Sequence, residues 1–600
     1  MNQHDFPVLD AFLAECNELD VPHWPENAES AENILRYYDQ LFASLEKQLW
    51  QHGLDRVLLE KYRLLVAELD QRMSAGKDDE RHDFVVVVPV ADRPGHLRSC
   101  LESLLHLCKC FPYGASQEEV STKISVLIAD DSKEYVNVQE HRKIAGDFSA
   151  LGLETIYFGQ GEQLKSISGL DAEQRKELQE VLGDADVSRF YHKGASIMRN
   201  ITYIKLKEIC RQPGKRLFYF IDSDQEFRIN TENGRTPYAI NYFYHLDRIF
   251  SRKDVVMITG KVVGDPPVSP SVMASNLLDD VRAFLAEIAT LDSKGACRFH
   301  EARKKNGSSA AYHDMADLFG FGLKAGSFRY RCDVAGEHNH EDCLSVFAGR
   351  LNRFFHGEHP TRKTYFEYSD VLSGAVPART VYTGNYAFNE AGLDFFIPFA
   401  TLKLRMAGPT LGRLLRTLLG DRFVSANLPM LHKRTVAHTG QSEFRPGIVR
   451  KKRQVDLSVE FERQYYGDVM LFSMERLAQK GYPLQELEET VVMDVLQQTE
   501  CQLRRKYMEK QEQIEHKLGL LECLLREEES WWNCNDGFQQ EVDEIKRFVA
   551  NMKHNFGPAS SGFNCILSPA HRRRRLGRIR EAISSYDQER LAWRRLMKNG

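Results

Sequence analysis

Residues 84 to 90 read FVVVVPV. A run of that length falls far short of the roughly 20 apolar residues a membrane helix needs, and it lacks the alternation of a strand with one wet face. It fits a strand buried on both sides. The same texture returns in KISVLIAD (123–130), LETIYFG (153–159), LFYFID (217–222) and VVMITGKVV (255–263), with helical segments between, such as HLRSCLESLLHLC (96–108) and the stretch around 195–210. Continuous apolar strands alternating with helices imply an α/β domain whose mostly parallel, Rossmann-like sheet is covered on both faces. In such sheets ligands bind beyond the carboxyl ends of the strands, so the residues following each run are where chemistry is expected.

The flanking regions have a different period. AENILRYYDQLFASLEKQLW (31–50) and DRVLLEKYRLLVAELDQRM (55–73) place apolar residues at helical spacing, and SAGKDDERHD (74–83) carries charge and glycine without periodicity, as a linker does. Helical texture returns after about 446. The expected organisation is an N-terminal helical region at 1–80, an α/β domain at 81–445 with a long insertion at about 268–375, and a C-terminal helical region at 446–600. With 600 residues the chain is too long for one core.

A net charge of -5 gives no overall attraction to nucleic acid, and none is expected as a partner. The beginning of the sequence carries acids where a signal peptide carries a basic patch, so the expected location is cytoplasmic. The twelve cysteines include no CxxC pair and read as reduced, structural thiols.

The acids at the strand ends carry the chemical signal. LFYFIDSDQEF ends in Asp222 and Asp224, with Glu226 behind. Two unit charges about 4 Å apart repel by roughly 4 kcal/mol at an effective dielectric of 20. A divalent ion bound between such carboxylates and the phosphates of a substrate removes that repulsion, and Mg²⁺ or Mn²⁺ prefers hard oxygen ligands of this kind.

In order along the chain, four motifs resemble glycosyltransferase family 2 and its relatives with the GT-A fold. VVPVADRPGHLRSC resembles the opening strand, loop and helix through Pro89, Asp92 and Arg93. ISVLIADDS ends in Asp130 and Asp131, where the family has an acid that binds the nucleoside; helix capping is the other reading of this pair. YHKGASIMRN resembles the segment that contacts the phosphates, through Lys193, Gly194 and Arg199; a solvated helix start is its alternative. FIDSDQEF stands at the DxD position, which makes Asp222 and Asp224 metal ligands and gives Asp224 a catalytic part. Farther on, VYTGNYAFNEAGLDFF resembles the acceptor-side loop, with Gly384 and Asn385 beside the donor sugar. LPMLHKRTVAH places His432, with His438 as competitor, where many such enzymes complete the metal shell, although a histidine at a strand end also serves structural roles.

The resemblance implies a hexosyltransferase-like enzyme using Mn²⁺ or Mg²⁺. Its donor would be a nucleoside-diphosphate sugar (UDP- or GDP-linked), and its acceptor the hydroxyl of a glycan, a lipid or a small molecule. One element is missing. Inverting relatives carry a general base where RMAGPTLGRLLR places Gly408 and Pro409. Asp394 is the nearest substitute, Asp314 or Glu341 could reach in from the insertion, and a retaining mechanism would need no such base. Nucleotidyl transfer on the same fold and a non-catalytic nucleotide-sugar-binding protein remain as alternatives.

Within the insertion His338, His340 and Cys343 lie close in sequence but match no standard zinc spacing. The expected role of this segment is a polar lid over the acceptor. HRRRRLGRIR (571–580) is the strongest basic run, a place for peripheral contact with anionic headgroups unless nearby acids pair with it. Self-association is a further expectation.

Overall fold

In the computed structural model, successive residues of the first strand point to opposite faces. Val85 and Val87 enter one apolar core, whereas Phe84, Val86 and Val88 enter a second. The next strands divide likewise, with Leu127, Phe218 and Phe220 on the first side and Val126, Ile128, Leu217, Tyr219 and Ile221 on the other. The strands read as unbroken apolar runs because both faces are covered. The structure describes residues 5–15, 22–25, 30–75, 79–116, 120–211, 214–231, 234–252, 254–299, 330–332, 334, 336–437 and 439–599.

Nine strands form the central sheet. They are β1 (Asp83–Val90), β2 (Ile124–Asp130), β3 (Thr155–Phe158), β4 (Arg216–Ile221), β5 (Gln225–Glu226), β6 (Met257–Gly264), β7 (Val376–Pro377), β8 (Asn385–Asn389) and β9 (Phe423–His432). Their order is β3-β2-β1-β4-β8-β6-β9-β5, with β7 also on β9. β1 pairs in parallel with β2 and β4, β2 with β3, and β6 with β9, while β8 runs antiparallel between β4 and β6. All six same-direction strands therefore end at one rim, which carries Asp92, Asp130, Asp222, Asp265 and His432 at or just past the strand ends.

The helical regions are not appendages. Helices Ala31–Gln51 and Arg56–Ser74 contribute Tyr38, Phe42, Leu45 and Tyr62 to the core that holds Phe84 and Val86. The C-terminal helices Ser458–Gln479, Glu489–Arg526, Gln539–Phe556 and Pro569–Asn599 share the opposite core with Val85 and Phe218. Each terminal region thus joins the apolar core on one side of the sheet.

The insertion differs from the expected lid. Helix Pro270–Ala289 is capped by the Ser269 side chain and buries Leu277, Val281, Phe284 and Leu285. Helix His340–Leu351 lies against Gln539–Phe556, where Ser345 donates to Glu541 at 2.6 Å and Asn352 to Glu544 at 3.1 Å. Its described parts are scaffold. Three of the six arginines of the basic run pair with acids: Arg575 meets Glu462 at 2.7 Å, Arg580 meets Glu489 at 3.2 Å and Arg572 meets Glu500 at 3.6 Å, while Arg573, Arg574 and Arg578 are exposed. Among the described residues no helix is long and apolar enough to cross a membrane.

Candidate functional site at the carboxyl rim

β4 delivers Asp222 and Asp224 to the rim, as the end of its apolar run requires. The two then part. Asp222, with its side chain 35% exposed, forms an ion pair with Arg199 of helix Ala195–Ile209, and Arg199 also donates to the Thr383 carbonyl at 3.0 Å. Asp224 is buried between Arg93 at 3.2 Å and Arg434 at 3.7 Å. Its Oδ1 has no hydrogen-bond partner and lies 3.6 Å from Nε2 of His432. Burial raises the Asp224 pKa, but His432, Arg93 and Arg434 outweigh it and hold the carboxyl well below the usual range.

His432 ends β9, and its Nδ1 lies 2.7 Å from the Asp265 carbonyl. A carbonyl can only accept, so Nδ1 carries a proton; with Nε2 protonated as well the ring is the cation that lowers the Asp224 pKa, and with that proton displaced Nε2 offers its lone pair to a metal beside Asp224. An unpartnered carboxylate oxygen opposite an imidazole lone pair is a donor set that a divalent cation satisfies. The fit is through Asp224 and His432. Among the described residues Asp222 does not converge with them, because Arg199 holds it.

Behind this pair lies an excess of positive charge that local sequence did not reveal. Arg434 and Arg445 are both buried, and burial first, then their mutual repulsion and that of Arg93 and Arg405, lowers their pKa values. The facing carboxylates are Asp224 and Glu460, the latter 3.2 Å from Arg405. Arg93, Arg405, Arg434 and Arg445, with Arg463 also on Glu460, outnumber these carboxylates, a local excess of positive charge that favours an anion beside them. The signal was present only as scattered arginines in LKLRMAG, LHKRTV and SEFRPG, and nothing in local spacing joins them.

Over the ends of β1 and β2 opens a cleft of about 620 Å³, lined by Asp92, Lys133, Asn137, His192, Glu443 and Phe444. His192 stacks on Phe444 with ring centroids 4.0 Å apart. Arg93 joins the cleft to the acid pair, donating to the Phe444 carbonyl at 2.7 Å while its other nitrogen reaches Asp224.

No protein-family model matches the chain, and no curated protein matches it. Among solved structures it is similar to the mannosyltransferase PcManGT from Pyrobaculum calidifontis, in complex with GDP-Man and Mn²⁺, at 8% identity over 86% of this chain and 98% of that one, with a TM-score of 0.29. A likeness that loose decides nothing about the residues of this site.

Several residues expected to hold ligand are engaged by the protein's own groups. Asp92, at φ 50°, ties the first two loops together by accepting from Lys133 N, Glu134 N, Asn137 and His192. Asp130 is buried against His141 at 2.9 Å and Tyr157 at 2.7 Å. Asp131 accepts from the backbone of Lys193 and Gly194 and pairs with Lys193 Nζ at 2.6 Å, so these three hold one another rather than face a ligand. Gly194, at φ 111°, starts helix Ala195–Ile209. Pro89 sits inside β1 opposite Ala129.

Asn385 is fully buried and stitches strands together, accepting from Tyr219 and donating to the Lys261 and Leu428 carbonyls. Gly384 is at the site: a Cβ there would lie 2.7 Å from Asp222 Oδ2. Asp394 corrects the base assignment. β8 starts beside Ile221 and runs away from the rim to Asn389 beside Leu217, so Asp394, beyond its far end, stands at the opposite edge of the sheet. Glu341 accepts from Ser293 within the insertion. Asp314 and His438 lie outside the described residues.

Proposed function

We propose that this chain is a metal-dependent glycosyltransferase of GT-A type that transfers a sugar from a nucleoside diphosphate to an acceptor hydroxyl. The observation that carries the reading is the buried Asp224 oxygen without a partner, opposed by the His432 lone pair and backed by surplus guanidiniums at the carboxyl rim. Asp224 and His432 would hold Mn²⁺ or Mg²⁺, with Asp222 joining if it leaves Arg199. The ion supplies Lewis-acid stabilisation of charge on the departing diphosphate. Arg93, Arg405, Arg434 and Arg445 bind and orient the diphosphate, and the stacked His192 and Phe444 give the nucleoside an aromatic wall beside the cleft.

Thermal unfolding with UDP- and GDP-sugars, with and without Mn²⁺, tests this. One donor is expected to raise the midpoint only with the ion, and Asp224→Asn to abolish the shift, since a ligand that binds the native state stabilises it. A shift that is independent of both Mn²⁺ and Asp224 would refute the reading.

One observation supports a second reading, a non-catalytic nucleotide-sugar-binding protein. At Gly408, where inverting relatives have their acidic pair, an added Cβ would meet the Val381 carbonyl at 2.4 Å. No side chain fits there. Donor binding without release of nucleoside diphosphate, across an acceptor panel, would favour this alternative.

A further inference from the structure

Apart from the rim, a second group of metal-binding side chains meets inside the insertion. Cys297 follows helix Pro270–Ala289, Cys332 and His338 lie on the segment before helix His340–Leu351, and Cys343 is in that helix's first turn. Their four ligand atoms all lie within 4.8 Å of one another. Cys343 Sγ is 3.3 Å from Cys297 Sγ and 3.7 Å from Cys332 Sγ, and Cys332 Sγ is 3.2 Å from His338 Nε2. A disulfide requires about 2.0 Å between sulfurs, so these are not bonded pairs. Two thiolates each about 2.3 Å from a tetrahedral ion stand about 3.8 Å apart, near the spacing found.

The surroundings match that reading. His338 Nδ1 donates to the Gly336 carbonyl at 2.9 Å, which fixes the tautomer that turns the Nε2 lone pair toward the sulfurs. The backbone N–H groups of Phe299 and Val334 point at Cys297 Sγ and Cys332 Sγ, at 3.4 and 3.5 Å, as donors that stabilise charge on sulfur. Backbone bonds from Cys297 N to His338 O and from Cys332 N to Phe299 O, both 3.0 Å, hold the segments in place without any ion. His340, which sequence spacing had grouped with His338 and Cys343, turns Nδ1 to the Asp292 carbonyl at 2.6 Å and is not part of the cluster.

We infer that Cys297, Cys332, His338 and Cys343 are the ligands of a structural zinc ion. Three thiolates and an imidazole form a closed shell with no open position for substrate, the mark of a structural rather than catalytic site. Binding replaces the three thiol protons with one Zn²⁺, and the protons go to solvent. The ion ties the segment that follows helix Pro270–Ala289 to the start of helix His340–Leu351, and both helices pack on the C-terminal helices. This role is independent of the donor reading.

The test is elemental analysis of the full-length chain purified without added metal. About one zinc per chain is expected, retained in His340→Ala and in Asp224→Asn/His432→Ala, and lost in Cys332→Ser and Cys343→Ser. Cobalt substituted for zinc should give the visible bands of a tetrahedral site and thiolate-to-cobalt charge transfer. Should the serine variants precipitate, the native chain still decides: a mercurial thiol reagent added with a chromogenic chelator should release one zinc per chain. Less than a tenth of an equivalent of zinc, zinc retained by both serine variants, or an octahedral cobalt spectrum would overturn the inference.

Discussion

Arg434 illustrates how one side chain serves binding at the expense of stability. Its guanidinium is buried, its Nε has no partner, and burial together with Arg405 and Arg93 disfavours its charge. Asp224 would keep Arg93 if Arg434 were removed. Removing one partner of a buried ion pair usually destabilises by leaving the other charge unpaired, but here Asp224 stays paired and the local surplus of buried positive charge falls. Arg434→Met is therefore expected to leave the urea midpoint of the ligand-free chain at or above the parent's. It should also reduce the stabilisation given by pyrophosphate with Mn²⁺ by about 1.5–3 kcal/mol, the worth of a hydrogen bond to a charged group. A lower midpoint with the pyrophosphate shift intact would contradict the assigned role. Sequence reading reached Asp222, Asp224 and His432 because each directly follows or ends an apolar strand. It missed Arg405, Arg434 and Arg445, whose proximity depends on how distant loops meet at the rim.

At the scale of elements, legibility followed burial. β1, β2, β4 and β6 stood out because both of their faces are covered, and the C-terminal helices because their period persists over long stretches. β8 was read as a loop: five residues beginning at a glycine turn give little pattern, yet that strand carries Asp394 away from the rim. Helix Pro270–Ala289 was passed over because nearby histidines and acids suggested a lid. The C-terminal helices hold a polar device of their own. Asp468 is fully buried on Ser458–Gln479 and accepts from Tyr507 at 2.5 Å and Gln464 at 2.6 Å. Burial pushes its pKa up to about 7, against the opposing pull of these bonds and of Lys510 and Arg405. Since the folded chain holds this proton to higher pH than the unfolded chain, the contribution is full below about pH 4 and is lost as pH rises toward 7. Asp468→Asn copies the neutral form, and the Tyr507 hydroxyl can turn to accept from the amide. The variant is expected to gain roughly 3–4 kcal/mol relative to the parent between pH 4.5 and 7.5, at about 1.4 kcal/mol per pKa unit. Urea unfolding across that range measures it, and a difference that does not vary with pH would refute it.

At the scale of the whole molecule, the question is whether the C-terminal region folds with the sheet or beside it. Trp593, near the end of helix Pro569–Asn599, has no exposed surface, donates Nε1 to the Leu393 carbonyl at 2.8 Å, and lies 5.5 Å from the Phe396 ring and 6.4 Å from Tyr203. Tyr203 in turn packs on Phe220 of β4 and shares a hydroxyl hydrogen bond with Tyr386 of β8. A continuous apolar path thus links the last helix to the strand that presents Asp222 and Asp224. Trp593→Ala removes a large buried ring and orphans a carbonyl, a loss of about 3–5 kcal/mol, whereas Trp593→Phe should lose much less. If the core is continuous, the alanine variant should unfold in urea in a single transition at lower midpoint, with helix and strand signals moving together. An appendage would instead melt early and leave a second transition at the parent's midpoint. That outcome would separate the C-terminal helices from the apolar core they share with β1 and β4.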